Sequence, residues 1–398
     1  MKKNLCLLLF ILCTCVTYAQ ITEKEVQKYI NEQNGPLEQA RNAKDYKKLA
    51  EIHIAMINTF ESYPEYIKNA ADSYIGSLYY NLACYQSRQN KKKKALEAFD
   101  KAIEHKWTNY FHASKDTDLD NIRKDKQFIS LMEKIRAEGD FSYILKQGGG
   151  YINKVDSTLP KFTYLAPNDS NLVRIREYFN LDSIAGSGNE ISKIKNLLHW
   201  AHNVVPHDGS SMNPDSKNAI DLVKVCQKEN RGINCRMMAE MLNECYLAMG
   251  FKSRFVTCLP KKYVDDCHVI NAVYSNTLNK WIWIDPTFNA YVTDENGTLL
   301  GIEEVREHLI SGAPLCLNED ANWNNKQKQT KEYYLDYYMT KNLYCLKCVQ
   351  RSDYNTETQI KGKPTPVYIS LYPSSTLKKM DQGISTNNAE YFWQCPEN

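Results

Sequence analysis

Cys235 has the strongest potential for chemistry in this chain, because its position suits a reactive thiol. It follows Gly232 and Asn234 and opens the segment CRMMAEMLNECYLAMG, whose apolar residues recur at helical spacing before Gly250 ends the pattern. Free N–H groups and the helix dipole favour a thiolate at a helix start, and the same groups can receive the oxyanion of an acyl intermediate. We therefore predict a nucleophile at Cys235, with Asn234 as a candidate oxyanion residue. We expect Gly232 to let the backbone approach a substrate closely.

A thiol nucleophile needs a proton acceptor, and the acceptor needs a partner that orients it. His268 begins the predicted strand HVINAVY, and Asp285 ends the predicted strand WIWID. In a hairpin that turns between Asn276 and Thr277, His268 and Asp285 either face each other or lie one diagonal apart on the same face. Asp285 then holds the imidazole tautomer while the other ring nitrogen serves Cys235. The pattern predicts that these three residues act together.

Two segments of the chain resemble transglutaminase-like domains. The Gly-x-x-Cys helix of that family and the strand after it are similar to GINCRMMAEMLNECYLAMGFKSRFV, and its His strand and Trp-x-x-Asp-Pro-Thr strand are similar to CHVINAVYSNTLNKWIWIDPTFNAYV. The resemblance covers roughly residues 190–315. It implies a papain-like thiol fold in which Cys235 is the nucleophile, His268 the general base and acid, and Asp285 its orienter. After the His, Val269 and Ile270 replace the usual Ala-Trp, which changes the wall of the site.

Three histidines precede the Cys235 segment. His199 and His202 share a helix face, and His207 follows in a loop. Zinc sites of this type usually need a further carboxylate or His at matched spacing, and the sequence offers none, so we predict no metal and no cofactor. Related thiol folds often line the oxyanion side of the site with the segment before the Cys helix. That makes His207 a second candidate substrate or oxyanion residue.

The sequence leaves several disulfide arrangements possible for the other cysteines. Thirteen cysteines occur in the chain, of which Cys6, Cys13 and Cys15 lie in the first twenty residues. In an oxidising compartment we expect some of the remaining ones to pair, although the sequence does not determine which. A bridge between the cysteines at 258 and 267 is one candidate. The lone CxxC at 345–348 predicts a local disulfide or two buried thiols rather than a metal or redox site.

Helical spacing of apolar residues extends through residues 21 to about 137. Within it, Ala83, Ala95, Phe99 and Ala102 form a pattern in which small residues let two antiparallel helices approach closely. This piece resembles one tetratricopeptide (TPR) unit. Roughly three such repeats are needed for a continuous core, so a helical domain of generic kind is an equal alternative. In either case the region offers helix faces to a protein partner and no chemistry.

The pattern of elements predicts an α+β protein in which an α-helical, TPR-like region precedes a papain-like, transglutaminase-like domain with an antiparallel sheet. We predict a signal peptide at 1–19, the helical domain at 20–147 and the transglutaminase-like domain at 151–320. A β-containing extension packed on that domain follows at 321–398. Gly148, Gly149 and Gly150 mark the main boundary. Two strands are expected in the extension, at 366–372 and 390–394.

The first residues predict export. Lys2 and Lys3 precede a short apolar run, and Ala19 completes a small-residue cleavage pattern. The run is too short to span a bilayer, and we expect no transmembrane helix later in the chain. We expect a periplasmic or extracellular protein; lipidation at Cys15 is the alternative. Removing two lysines from a net charge of +3 leaves +1, which gives no electrostatic basis for binding nucleic acid.

Two function classes follow from these features. The first is a cysteine peptidase or amidase that acts by acyl transfer at Cys235 on a peptide or protein substrate. Hydrolysis is the simpler form, because no docking surface for an amine donor is readable. The second is a non-catalytic scaffold in which the TPR-like helices bind a protein partner. Rapid reaction of Cys235 with a thiol-directed acyl electrophile, dependent on His268, separates the two.

Overall fold

The computed structural model describes residues 22–153, 158–262, 266–376 and 383–397. The chain divides into two compact units, the first ending at Gly139 and the second beginning at Asp140. The predicted signal peptide and the alternative lipidation site at Cys15 lie outside the described residues. Within the described ranges, no helix combines the length and apolar character needed to cross a membrane.

The first unit is helical. A reciprocal capping box of Thr22 and Glu25 starts its first helix, and the side chain of Asp45 caps the second. The helices run in the order α1 (Glu23–Asn42), α2 (Tyr46–Glu61), α3 (Glu65–Ala70), α4 (Asp72–Arg88), α5 (Lys92–Glu104), α6 (Tyr110–Lys115) and α7 (Lys126–Gly139). The predicted N-terminal helical region is confirmed.

The core of the first unit centres on α4 against α5. Ala83, Ala95 and Ala102 are fully buried there, so the two helices approach closely, and Phe99 fills the space beside them. The ring of Phe99 stacks on Phe128 of α7 with 5.1 Å between centroids. These contacts agree with the spacing that suggested a TPR-like unit; the TPR assignment itself stays a prediction.

The second unit mixes helices and strands. Its elements are α8 (Phe141–Gly148), β1 (Thr163–Tyr164), α9 (Ser170–Phe179), α10 (Leu181–Ala185), α11 (Glu190–Val204), α12 (Ala219–Glu229), α13 (Cys235–Ala248), β2 (Ser253–Leu259), β3 (His268–Ser275), β4 (Lys280–Ile284), β5 (Val292–Thr293), α14 (Ile302–Ser311), β6 (Cys316–Leu317), β7 (Asn322–Trp323), β8 (Gln327–Lys328), α15 (Lys331–Tyr333), a π-helical turn (Tyr334–Met339), α16 (Thr340–Asn342), β9 (Cys345–Val349), β10 (Arg351–Ser352), β11 (Tyr368–Leu371), β12 (Ile384–Thr386) and α17 (Ala389–Phe392).

The main sheet has the order β12-β11-β9-β2-β3-β4. Its neighbouring strands are antiparallel except β11 and β12, which are parallel. Side chains alternate between two cores: Val273 and Ile282 join a cluster with α13, whereas Ile270 and Trp283 join a cluster on the opposite face. The predicted α+β fold with antiparallel hairpins is confirmed.

The last part of the chain enters the sheet itself. Strand β9 pairs with β2 on one side and β11 on the other, so residues 345–371 provide interior strands. The strand expected at 366–372 is present as β11. The strand expected at 390–394 was wrong, because Asn388 caps a short helix there and accepts a hydrogen bond from the N–H of Tyr391 at 2.9 Å. That helix buries Ala389 and Phe392.

The cysteines in the described residues are all free thiols. The expectation that some of them pair is therefore not met in this structure. Cys258 and Cys267 remain unbridged. Cys345 and Cys348 on β9 are two buried thiols, one of the two alternatives that the CxxC spacing left open.

Candidate active site

The start of α13 presents Cys235 at the first helical position. Asn234 is the N-cap: its side-chain oxygen accepts the N–H of Met237 at 3.1 Å, and its amide nitrogen donates to Asn213 at 2.7 Å. Both ends of that amide are therefore engaged in holding the helix start. Cys235 itself is partly exposed, whereas most of the other thiols in this unit are buried.

Gly232 lets two backbone segments meet at this helix start. A Cβ added to Gly232 would lie 2.6 Å from the carbonyl oxygen of Pro206 and 2.7 Å from the Cβ of Asp208, so only glycine fits. The bridge that forms there pairs His207 with Ile233. The close approach that the sequence suggested is thus made by residues 206–208 rather than by a substrate. It brings His207 beside Cys235.

His268 and Asp285 meet at the end of the β3–β4 hairpin. Asn271 pairs with Ile284, so Asp285 falls one diagonal from His268, the second of the two registers that the sequence allowed. The Nε2 of His268 lies 2.7 Å from Oδ2 of Asp285. Both side chains are buried, with 2% and 0% of their surface exposed, so water does not compete for this bond. The other ring nitrogen of His268, Nδ1, is therefore the one available to Cys235.

Two further donors hold the Asp285 carboxylate. The hydroxyl of Tyr334 donates to Oδ2 at 2.6 Å, and the N–H of Thr287 donates to Oδ1 at 2.9 Å. Trp283 in turn donates its indole N–H to the Tyr334 oxygen at 3.1 Å. Asp285 is therefore fixed as an acceptor for three hydrogen bonds, which orients the imidazole of His268.

The Cys235 thiol has an acidic character in this setting. Burial by itself raises the pKa of Cys235, but hydrogen bonds from His207 and His268 and the charge of His268 outweigh it and lower the pKa to about 6. Burial by itself lowers the pKa of His268, but the charge and hydrogen bond of Asp285, followed by those of Cys235, raise it to about 10. These opposite shifts favour the thiolate of Cys235 together with the imidazolium of His268.

His207 has a fixed tautomer. The indole N–H of Trp323 lies 3.0 Å from Nδ1 of His207, and since this group can only donate, Nδ1 carries no proton. The proton is then on Nε2, the nitrogen left to face Cys235. Asn324 clamps the backbone of His207 on both sides: its Oδ1 accepts the N–H at 2.7 Å, and its Nδ2 donates to the carbonyl at 2.9 Å.

Aromatic rings enclose His268. The ring centroid of Phe288 lies 5.5 Å from that of His268, and Tyr338 makes an edge contact at 5.3 Å. Tyr334 and Tyr338 belong to the π-helical turn, and Trp323 belongs to β7. None of these aromatic residues was predicted to belong to the site. The cluster of tyrosines after residue 330 was a signal for Tyr334 and Tyr338, whereas Phe288 and Trp323 had no such signal.

Cys267 differs from Cys235 despite lying next to His268. Burial and the neighbouring Cys235 raise the pKa of Cys267, and burial together with Asp285 raises that of Cys258 well above its ordinary value. Neither thiol is poised to ionise near neutral pH. Cys235 is therefore the thiol that the local field activates.

The histidines of α11 form no metal centre with His207. His202 is buried, with Nδ1 3.0 Å from the carbonyl of Pro286 and Nε2 3.0 Å from Oδ1 of Asn322. His199 is exposed on the same helix. Across the described ranges, no three His, Cys, Asp or Glu side chains are grouped as metal ligands would be.

A comparison with protein-family models identifies the region that contains the site. Residues 179–286 match the model of the transglutaminase-like superfamily, and this segment contains Cys235, His268 and Asp285. The chain therefore carries a transglutaminase-like superfamily domain, as its resemblance predicted. A search of curated proteins found no match.

A solved structure from Cytophaga hutchinsonii, provisionally described as a cysteine protease, is similar to part of the chain at 19% identity. The match covers 38% of this chain and 52% of that one, with a TM-score of 0.24. The chain thus matches about half of that protein's length.

Proposed function

We propose that this protein is a cysteine hydrolase that cleaves amide bonds in peptides or proteins through a covalent acyl-thiol intermediate. The observation that carries the proposal is the pairing of a thiol whose pKa is lowered to about 6 with a buried imidazole bonded to Asp285 at 2.7 Å. An acidic thiol beside an oriented imidazole is the arrangement that nucleophilic catalysis requires. A cysteine that only stabilised the fold would not require this arrangement.

The first half of the reaction forms a thioester. The Cys235 thiolate adds to the amide carbonyl carbon, and the carbonyl oxygen takes up the negative charge. The C–N bond then breaks while Nδ1 of the His268 imidazolium gives its proton to the departing nitrogen. Asp285 stabilises the imidazolium through its hydrogen bond to Nε2 of His268.

The second half restores the thiolate. Water adds to the thioester carbonyl carbon as the neutral His268 accepts one of its protons. The C–S bond breaks, and the products are a carboxylic acid and the starting ion pair. An amine in place of water would give transfer instead of hydrolysis. Water is the simpler acceptor, because it needs no second binding site.

Two N–H groups are suited to the oxyanion of both steps. The backbone N–H of Cys235 is at the first position of α13, where helical N–H groups have no partner within the helix. The Nε2–H of His207 is the second donor, since Trp323 occupies Nδ1. Asn234, whose amide is engaged by Asn213 and Met237, holds the helix start and leaves the oxyanion to these two groups.

The decisive experiment follows oxygen from water into peptide products. The full chain is incubated with a defined peptide mixture in H₂¹⁸O, with and without a primary amine, and the products are identified by mass spectrometry. We expect new carboxyl ends that contain ¹⁸O. Amine-capped ends in their place would indicate transfer.

The matched controls are Cys235→Ala and Cys235→Ser, which keep the helix start and remove the thiol. Neither should release products. Wild-type protein that yields neither product, and whose Cys235 reacts with a peptidyl acyl electrophile no faster than its exposed thiols, would contradict the proposal. The non-catalytic scaffold would then be the better account.

A further inference from the structure

A cavity of about 610 Å³ opens beside the start of α13. Its wall includes Arg236, the residue that follows Cys235, and Asn213, which is bonded to the N-cap residue. Tyr368 also lines it, and Tyr368 and Cys235 pack against the same small apolar cluster. The cavity therefore adjoins the candidate nucleophile. Its volume lies within the range of about 300–1,000 Å³ that is usual for ligand sites.

The wall of this cavity is strongly cationic. It contains four basic side chains and one carboxylate, which are Lys217, Arg236, Lys347, Lys363 and Glu357. Four positive charges less one negative charge leave an excess of three. The single carboxylate is also engaged, because Glu357 accepts hydrogen bonds from Arg236 at 2.8 Å and from Tyr368 at 2.6 Å.

A second acid, Glu240, lies behind the wall of the cavity. Glu240 is buried on α13, and its Oε1 accepts the backbone N–H of Glu357 at 3.0 Å. Burial, with a further contribution from the charge of Glu357, raises the pKa of Glu240 well above its ordinary value. The raised pKa disfavours the charged form of Glu240, so this buried acid offsets less of the positive charge of the cavity than an exposed glutamate would.

Among the basic residues of the cavity, Lys347 is the one whose positive charge a bound anion would stabilise most. It lies on β9 between Thr257 of β2 and Ser370 of β11, and it is half-buried. Its ammonium lies 4.3 Å from the centroid of the Tyr368 ring, and no carboxylate within the described ranges forms an ion pair with it. Burial and repulsion from Arg236 lower its pKa. An anion at this point would relieve both effects.

We infer that this cavity binds a carboxylate of the substrate, so that the substrate is a peptide with an acidic side chain or a free carboxyl end near the acyl group transferred to Cys235. The substrate assignment rests on the proposed function, since it presumes acyl transfer at that thiol. Lys347 is the residue that pairs with the carboxylate, while Lys217 and Lys363 contribute attraction at longer range. This would make the cavity a specificity site adjacent to the chemistry.

Three synthetic peptides separate the two sources of the carboxylate. They share one sequence: one carries Glu with an amidated end, one carries Gln with a free carboxyl end, and one carries Gln with an amidated end. Their binding to the full-chain Cys235→Ala variant is measured by fluorescence anisotropy, and kcat and KM are measured on the wild-type chain. We expect one of the charged peptides to bind about tenfold or more tightly than the neutral peptide, and less so at high salt.

Substitution of Lys347 tests the residue assignment. In Lys347→Gln the charged peptide should bind little more tightly than the neutral peptide, and the change should appear chiefly as a higher KM for the charged peptide. In Lys347→Glu the neutral peptide should bind more tightly than the charged one. Lys228→Gln removes the same charge from the exposed end of α12 and should change nothing. If the Lys347 variants do not fold by circular dichroism, Lys217→Gln and Lys363→Gln make the same test with smaller expected losses.

The outcomes distinguish this inference from the proposed function. Equal binding of charged and neutral peptides, or a preference that survives the substitutions at both Lys347 and Lys217, would overturn the inference even where Cys235-dependent cleavage occurs. Carboxylate-dependent binding without any cleavage by the wild-type chain would uphold the cavity as a carboxylate site and overturn acyl transfer instead.

Discussion

Replacement of His268 by alanine should raise the pH at which Cys235 becomes a thiolate. Hydrogen bonds from His207 and His268 lower the pKa of Cys235 to about 6 against the opposing effect of burial. His268→Ala removes one charge-assisted hydrogen bond, worth about 1.5–3 kcal/mol. Since about 1.4 kcal/mol corresponds to one pH unit, we expect the midpoint to rise by about one to two pH units.

The pH midpoint of Cys235 ionisation is a more decisive measurement than the rate at which Cys235 reacts at pH 7. With a pKa of about 6, roughly 90% of Cys235 is ionised at pH 7, whereas with a pKa near 8 about 10% is. The thiolate of the variant is also more basic and hence more nucleophilic, by about eightfold for a Brønsted slope near 0.45. The two effects nearly cancel at pH 7, but a full pH profile separates them.

The assay is pulsed alkylation with iodoacetamide from acid to alkaline pH, followed by mass spectrometry of the peptide that contains Cys235. The exposed thiols Cys316 and Cys395 act as references within each sample. His199→Ala removes an exposed imidazole from α11 and is the matched control. An unchanged midpoint in His268→Ala, or a wild-type midpoint equal to those of the exposed thiols, would refute the assignment of His268 as the partner of Cys235.

Three further substitutions test other parts of the structure. Tyr334→Phe removes the hydroxyl that donates to Asp285 and should lower the free energy of unfolding in urea by about 1–3 kcal/mol. Turnover should also be slower, and an unchanged kcat would exclude a positioning role for the hydroxyl. His207→Ala should slow acylation by about 10²–10³-fold, and His207→Gln, which keeps an N–H donor, should recover part of the rate; equal rates in the two variants would exclude the oxyanion role. Phe99→Ala should lower the free energy of unfolding of the helical unit by about 3–5 kcal/mol in a denaturant titration. The control Ile129→Ala, at a side chain that is 58% exposed, should have little effect, and equal losses in the two variants would contradict the assignment of Phe99 to the core.

The elements around the site could be predicted where their signals are local. The apolar stripe after Cys235 depends on a few neighbouring residues, and α13 begins at the predicted position, where the structure adds Asn234 as its cap. The polar turn between β3 and β4 likewise limited the register to two choices, and the observed one brings His268 and Asp285 together. Their catalytic role stays a prediction that the labelling experiment addresses.

The rest of the site depends on contacts that are distant in sequence. The contacts of Tyr334 with Asp285, Trp323 with His207 and Glu357 with Arg236 join residues that are 49, 116 and 121 positions apart, so no local sequence pattern predicts them. A tyrosine-rich segment predicts burial of rings but not the atom to which a hydroxyl donates. For this reason the sequence identified the candidate nucleophile, base and orienter but not the groups that hold them.

The error at 390–394 has a similar cause. The run of three aromatic residues in EYFWQ favours a strand, but Asn388 supplies a helix cap, and burial of Phe392 in the core of the second unit outweighs the local preference.

The interior position of β9 has a consequence for the order in which the molecule matures. During synthesis, Cys235 and His268 emerge well before Tyr334, which holds Asp285, and before β9, which is the neighbour of β2. A nascent chain therefore contains the reactive residues without the strand and the hydroxyl that align them. We expect the proposed reaction to become possible only after residues 334–371 have joined the sheet and the site, because Tyr334 and β9 belong to that segment.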